Sequence, residues 1–172
     1  RAYCSSPACN PSRASVLTGK RPHKTGIYGN KTDWREACRE VATLPEYFRR
    51  HGYRAEGYGK LYHHHGDGAF NDPRAWDEFR KMDPQYMPDS KLNGAKGYGS
   101  RNTDWGPWPK DGEEARTIDF KSVGYALKAL SRKGNKPFFL ACGIFKPHSP
   151  FFAPPRYHAV YAEDFPMPVL GE

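Results

Sequence analysis

The sequence predicts an α/β sandwich, and three observations carry the prediction. A helical pattern from about Ile118 to Arg132 feeds the run Phe138-Phe139-Leu140-Ala141-Cys142-Gly143-Ile144-Phe145. That run is apolar on both alternating faces, which suits a central strand covered by helices on each side. Upstream, a capped helix opening at Thr43 likewise leads into a strand, Tyr53 to Tyr58. Finally, 17 Gly and 16 Pro among 172 residues break the chain too often for long helices and leave room for abundant loops. In such a layout reactive groups gather where strands end and loops begin.

Taken in order, Pro11 to Gly19 reads as a short helix, with Pro in its first turn and Gly just past its end, so Cys9 sits at a helix N-terminus. Thr43-Leu44-Pro45-Glu46 has capping-box spacing and opens a helix through Phe48 to about His51, stopped by Gly52. The strand from Tyr53 ends at Gly59-Lys60. Residues 83 to 112 are dense in Pro, Gly, Asn, Asp and Trp and predict a long surface excursion of the kind that builds binding sites. In the helix that follows, Phe120, Val123, Leu127 and Leu130 recur at three- and four-residue steps as one apolar face, and Gly134 and Pro137 end it.

A length of 172 residues is that of one ordinary domain or part of one, and 15% aromatic content excludes a solvated disordered tail. The longest strongly apolar stretch, Phe138 to Phe145, is too short to cross a bilayer, which excludes a transmembrane helix. The 27 Lys and Arg exceed the 19 Asp and Glu to give a formal net charge of +8. Such a surplus attracts polyanions, so nucleic acid, sulfated polymer and anionic membrane stay open on charge alone. An alternative is that balancing carboxylates lie in a longer parent. Residue 1 is Arg, no signal peptide is present, and residues 166 to 172 run out without a closing element, so the chain is expected to be a segment. Cys4, Cys9, Cys38 and Cys142 include no C-x-x-C pair, and their count does not settle the compartment.

The most specific segment is Cys9-Asn10-Pro11-Ser12-Arg13, continued by Ala14-Ser15-Val16-Leu17-Thr18-Gly19. It resembles the signature of type I sulfatases, in which the cysteine is oxidised to Cα-formylglycine by a formylglycine-generating enzyme. That resemblance implies an alkaline-phosphatase-like α/β/α fold, of which this chain would be a partial catalytic domain. The chemistry agrees with it. Attack on a sulfate ester needs an oxygen nucleophile, stabilisation of the sulfuryl oxygens and an acid for the leaving alcohol. A cysteine meets the first need poorly, whereas a hydrated aldehyde offers one hydroxyl to attack sulfur and a second to expel sulfate. A helix N-terminus favours an anion, and Arg13, one turn on, can hold the hydrate or a metal-bound oxygen.

Gly59-Lys60-Leu61-Tyr62-His63 is similar to the Gly-Lys and nearby His of sulfatases, with the Lys-x-x-His spacing of the iduronate-2-sulfatase branch. By resemblance Lys60 binds a sulfate oxygen and His63 takes the proton of the formylglycine hydroxyl, with His64 and His65 leaving open which imidazole faces the site. Lys146-Pro147-His148-Ser149-Pro150-Phe151 is similar to a Lys-Pro-His-x-Pro-Phe loop of the same branch. His148 would protonate the leaving alkoxide, Lys146 would lie near the sulfate or a substrate carboxylate, and Pro147 and Pro150 stiffen the loop. Downstream, His158 is expected to be structural.

The resemblance further implies a divalent cation, usually calcium, bound by formylglycine at position 9 together with an aspartate pair before the cysteine and an Asp-Asn or Asp-His pair after the Lys-Pro-His loop. Neither pair occurs here, so the other ligands are expected outside this chain and the isolated segment is expected to be inactive. It also implies export, to the periplasm or outside in bacteria and to lysosomes in animals, and a sulfated polysaccharide or glycosaminoglycan sugar as substrate. Competing motifs are missing. Lys60 lacks the P-loop frame, no Gly-x-Ser-x-Gly occurs, and nucleic-acid binding would rest on charge and scattered Trp alone. Two alternatives stay open: a phosphonate or phosphate monoester hydrolase of the same fold, and a non-catalytic polyanion-binding relative.

Overall fold

A computed structural model describes residues 3–63, 72–84, 86, 104–108 and 111–161. They fall into two compact units, one formed by Arg1–Asp83 with Lys121–Ile144, the other by Pro84–Phe120 with Phe145–Glu172.

The first unit is built on a parallel sheet. Its strands are β1 (Arg54–Gly59), β2 (Glu78–Arg80) and, numbered in chain order, β4 (Phe138–Gly143), with β1 between the other two. Four helices precede β1: α1 (Cys9–Thr18), α2 (Pro22–Thr25), α3 (Trp34–Ala37) and α4 (Leu44–Arg50). The sequence marks their ends well. Gly19 closes α1 with φ 68°, a left-handed conformation open to glycine. Thr43 and Glu46 form the predicted capping box of α4, an arrangement that stabilises a helix by about 1 kcal/mol. Phe48 on α4 stacks on Phe139 of β4 with ring centroids 4.7 Å apart. Trp34 stacks on Tyr62 at 5.4 Å, and the buried Tyr62 hydroxyl accepts a 2.8 Å hydrogen bond from Trp76 Nε1. Burial holds the Tyr62 phenol above its ordinary range.

Two ionic networks brace this unit. Arg35 reaches Glu46 at 3.0 Å and Asp72, while its Nη1 donates to the carbonyls of Cys38 and Val41. Burial opposes ionisation of Glu46, but the Thr43 backbone N–H, Arg35 and Arg50 outweigh it and keep the carboxyl below its usual range. On the sheet, the register sets Glu56 directly opposite Glu78, an unfavourable like-charge pair. Arg132 resolves it by donating to both carboxylates at 3.0 Å, with the Tyr58 hydroxyl 2.7 Å from Glu56.

The Phe138–Phe145 run departs from its predicted setting. It becomes β4, but among the described residues β1 is its one strand neighbour, and Phe138 is 58% exposed. The α5 helix (Ile118–Leu130) forms where expected, yet Phe120, Val123, Leu127 and Leu130 are exposed, and the buried positions are Ile118, Ser122 and Ala126. Periodicity identifies an apolar face; whether a partner covers it depends on elements distant in sequence.

In the second unit β3 (Trp105–Pro107) pairs in parallel with β5 (Phe151–Ala153), with Phe152 opposite Gly106. A 3₁₀ turn at Glu114–Arg116 leads into α5, and α6 (Pro155–His158) follows β5. Most of the predicted excursion over residues 83 to 112 lies outside the described residues; β3 is a described part of it.

Candidate functional site

Cys9 is the first residue of α1, one position inside the helix, behind an extended Ala8 that supplies no side-chain cap. Asn10 anchors this end. Its side chain, 1% exposed, donates to the carbonyls of Gly29 at 3.1 Å and Thr32 at 2.8 Å, and its N–H donates to Asn30 Oδ1 at 3.0 Å. An amide whose Nδ2 is held by two carbonyls leaves little freedom to the residue beside it. Arg13 lies one turn further along α1 and donates from Nη1 to the carbonyl of Lys60. Burial lowers the Arg13 pKa, and the neighbouring Cys9 side chain opposes that shift.

Lys60 follows β1 and is 5% exposed. Its N–H donates to the Gly143 carbonyl at 2.9 Å, across the ends of β1 and β4. Two glycines make this approach possible. Gly59 has φ 78°, and a Cβ there would lie 2.3 Å from the Gly143 oxygen. A Cβ on Gly143 would lie 2.2 Å from the Lys60 oxygen, the atom Arg13 grips. His63 is half-buried in the turn beyond Lys60, while His64 and His65 lie outside the described residues. Cys9, Arg13, Lys60 and His63 thus belong to one unit, with the first three joined through α1 and the ends of β1 and β4.

Lys146 and His148 belong to the other unit, in the loop between β4 and β5. The loop contains two cis peptide bonds, Lys146-Pro147 and Ser149-Pro150. Lys146 Nζ donates to the Pro150 carbonyl and lies 3.4 Å from that of His148. Burial lowers its pKa, and Asp119 opposes the shift. His148 is exposed. Its backbone N–H donates to Phe145 O at 3.1 Å, and its ring packs on the Phe145 ring at 4.7 Å. Nδ1 lies 2.7 Å from the Ser149 carbonyl, an acceptor, so Nδ1 carries the proton there. Nε2 is then the atom that can take up or deliver a proton. An apolar cavity of about 450 Å³, lined by Trp108, Phe145, Phe152 and Tyr157 among others, backs this loop. His158 ends α6 on the cavity wall.

Sequence reasoning assigned nothing to Asn10, Gly143 or Asp119. Asn10 carried a signal, since a short polar side chain inside a helix beside Pro is disfavoured unless it bonds something. The four cysteines are free thiols.

The parallel α/β layout is that of the alkaline-phosphatase-like fold. It superposes with a TM-score of 0.60 on BT4656 in complex with its substrate D-glucosamine-2-N,6-O-disulfate, at 21% identity over 97% of this chain and 31% of that one. Against the phosphonate monoester hydrolase of Agrobacterium radiobacter the TM-score is 0.58, at 16% identity over 95% of this chain and 36% of that one. Within that class, the sequence model of the Sulfatase family matches residues 1–168, and the chain belongs to the sulfatase family. It is 36% identical to a sulfatase of Formosa agariphila, over 93% of this chain and 34% of the relative. To human iduronate 2-sulfatase it is 31% identical, over 93% of this chain and 30% of the relative. The chain therefore spans about a third of the length of the curated relatives it matches.

Proposed function

We propose that the protein carrying this chain hydrolyses sulfate esters on a sulfated sugar of a polysaccharide or glycosaminoglycan, using formylglycine made from Cys9 by a formylglycine-generating enzyme. One observation carries the reading: within Cys-x-Pro-x-Arg, Cys9 opens a helix whose Arg13, one turn on, grips the carbonyl of Lys60. As its hydrated aldehyde, residue 9 would supply one hydroxyl to attack sulfur and a second whose deprotonation releases sulfate. Arg13 holds those hydroxyls, and Lys60 neutralises a sulfuryl oxygen. His63 accepts the proton as sulfate departs. His148, with its proton-bearing Nδ1 turned to a carbonyl, delivers a proton from Nε2 to the leaving alkoxide. Lys146 faces the sulfate or a substrate carboxylate in this scheme.

The 172 residues are taken as part of one catalytic domain. For the calcium ion that the resemblance implies, the described residues offer no group of three or more His, Cys, Asp or Glu able to hold a metal. A hard cation takes about six oxygens, so residue 9 alone does not suffice to hold one. The remaining ligands are proposed to come from other segments of the protein. Among the described residues no helix is long and apolar enough to cross a membrane. Export is proposed from the sulfatase resemblance.

The test uses the full-length protein produced with the maturation enzyme. Mass spectrometry of the tryptic peptide ending at Arg13 should show the aldehyde, and an aryl sulfate should be turned over faster than the matching aryl phosphate. An unmodified thiol in fully active protein would overturn the reading. Preference for the phosphate would move it to phosphoester chemistry, and polyanion binding without turnover would make it a binding protein.

A further inference from the structure

Asp119, the second residue of α5, places both carboxylate oxygens on the start of the histidine loop: Oδ1 accepts from Phe145 N–H at 2.6 Å and Oδ2 from Lys146 N–H at 3.0 Å. These are charge-assisted bonds to two successive peptide groups, at the point where the chain leaves β4. The Phe145 carbonyl in turn accepts the His148 N–H at 3.1 Å, and the Phe145 ring supports the imidazole. His148 is thus tied by backbone and by ring to the residue whose N–H Asp119 holds. Asp119 is 26 residues upstream of Phe145, so this is a long-range clasp on a loop in which Lys146 Nζ and His148 Nδ1 meet carbonyls within four residues of their own.

We propose that Asp119 is the positioning residue of the proton donor His148, fixing through Phe145 the place from which Nε2 serves the leaving group. This rests on the sulfatase reading above. A carboxylate suits the task because it presents an acceptor to each N–H; an asparagine would turn its NH₂ toward one of them and lose that bond. Misplacing a proton donor slows reactions in proportion to their need for it. A leaving alkoxide of a sugar or alkyl alcohol needs protonation, whereas 4-nitrophenolate leaves without much help.

The experiment measures kcat and KM of the full-length matured protein on an alkyl sulfate and on 4-nitrophenyl sulfate, for wild type, H148A, D119N and the double variant. Expected for D119N is a loss of about tenfold to a hundredfold in kcat on the alkyl ester, with KM little changed and the aryl ester slowed far less. The double variant should be no slower than H148A. Equal losses on both esters in D119N, while H148A still discriminates between them, would reduce Asp119 to a structural residue. If H148A itself fails to discriminate, the assignment of the acid falls, and the positioning role with it. Should D119N not fold, Asp119→Ser, which keeps one acceptor, is measured on the same two esters: a loss concentrated on the alkyl ester supports the positioning role, and equal losses overturn it.

Discussion

The Cys9 and Lys60 region is framed by the ends of a helix and two strands, whereas His148 stands on a loop held largely by two side chains. In the first region α1 and the ends of β1 and β4 meet on main-chain acceptors: Lys60 N–H on Gly143 O, the Arg13 guanidinium on Lys60 O, and the Asn10 amide on the carbonyls of Gly29 and Thr32. In the second, a loop with two prolines is kept in place by the Asp119 carboxylate and the Lys146 ammonium. Elements of regular structure fix a group more closely than loops do. The nucleophile side is therefore expected to resist change except at its contact glycines, and the acid side to respond in steps to single side chains.

The largest expected effect removes the nucleophile. Cys9→Ala in the full-length protein should reduce turnover of an aryl sulfate to background while the thermal midpoint stays near wild type, since the change is small and the residue only half-buried. Residual turnover well above background would break the comparison at its root, because the backbone frame would then be positioning something else. Next is Gly143→Ala. The added methyl would lie 2.2 Å from the Lys60 oxygen, so one strand end must move. Overpacking of this kind costs about 1–3 kcal/mol, and displacing Lys60 should lower kcat/KM by about a hundredfold. Unchanged kinetics would show that the approach of β1 and β4 has no bearing on the reaction.

Much of this was legible in the sequence, for reasons that separate local from distant physics. Thr43 and Glu46, Gly19 and Gly52 act within a few residues, so the end of α1 and, to within a residue, the bounds of α4 and β1 followed from them, whereas α1 begins two residues before the expected Pro11. The Cys9, Lys60 and His148 candidates stood out through local motifs. The clasp of Asp119 on Phe145, the meeting of Gly59 with Gly143, and the exposure of the α5 face are pairings over long separations. Residue spacing does not encode these. An Asp in the first turn of a helix is favoured by the helix dipole alone, which hid the second use of Asp119.

A smaller effect is expected at Lys146, and it sharpens the contrast. Lys146→Met keeps much of the stem but removes the donor to the Pro150 and His148 carbonyls. The loop should loosen and kcat on an alkyl sulfate fall by about tenfold, with a thermal midpoint close to that of wild type. A fall confined to KM would instead favour direct contact of Lys146 with substrate, its role by resemblance.

The smallest effect on turnover belongs to Glu46→Gln, which tests whether the first region is as firmly framed as its geometry indicates. Glu46 is 3% exposed and bonded to Arg35 and Arg50, far along the chain from Cys9. Its pKa in the folded protein lies below the ordinary 4.5. A depressed carboxyl pKa gives stability that is fully present above the unfolded value and is lost as pH falls through the folded value. At neutral pH the variant should therefore be less stable by about 1–3 kcal/mol, as Arg35 loses a charged partner. As pH falls from 4.5 through the lower folded value the two denaturation midpoints should converge, because Glu46 of the folded wild type takes up its proton only over that range. Throughout, kcat at neutral pH should be unchanged. A marked fall in kcat at full folding would mean that strain passes from the Arg35 network to α1, and that the frame around Cys9 is less independent than its main-chain bonds indicate.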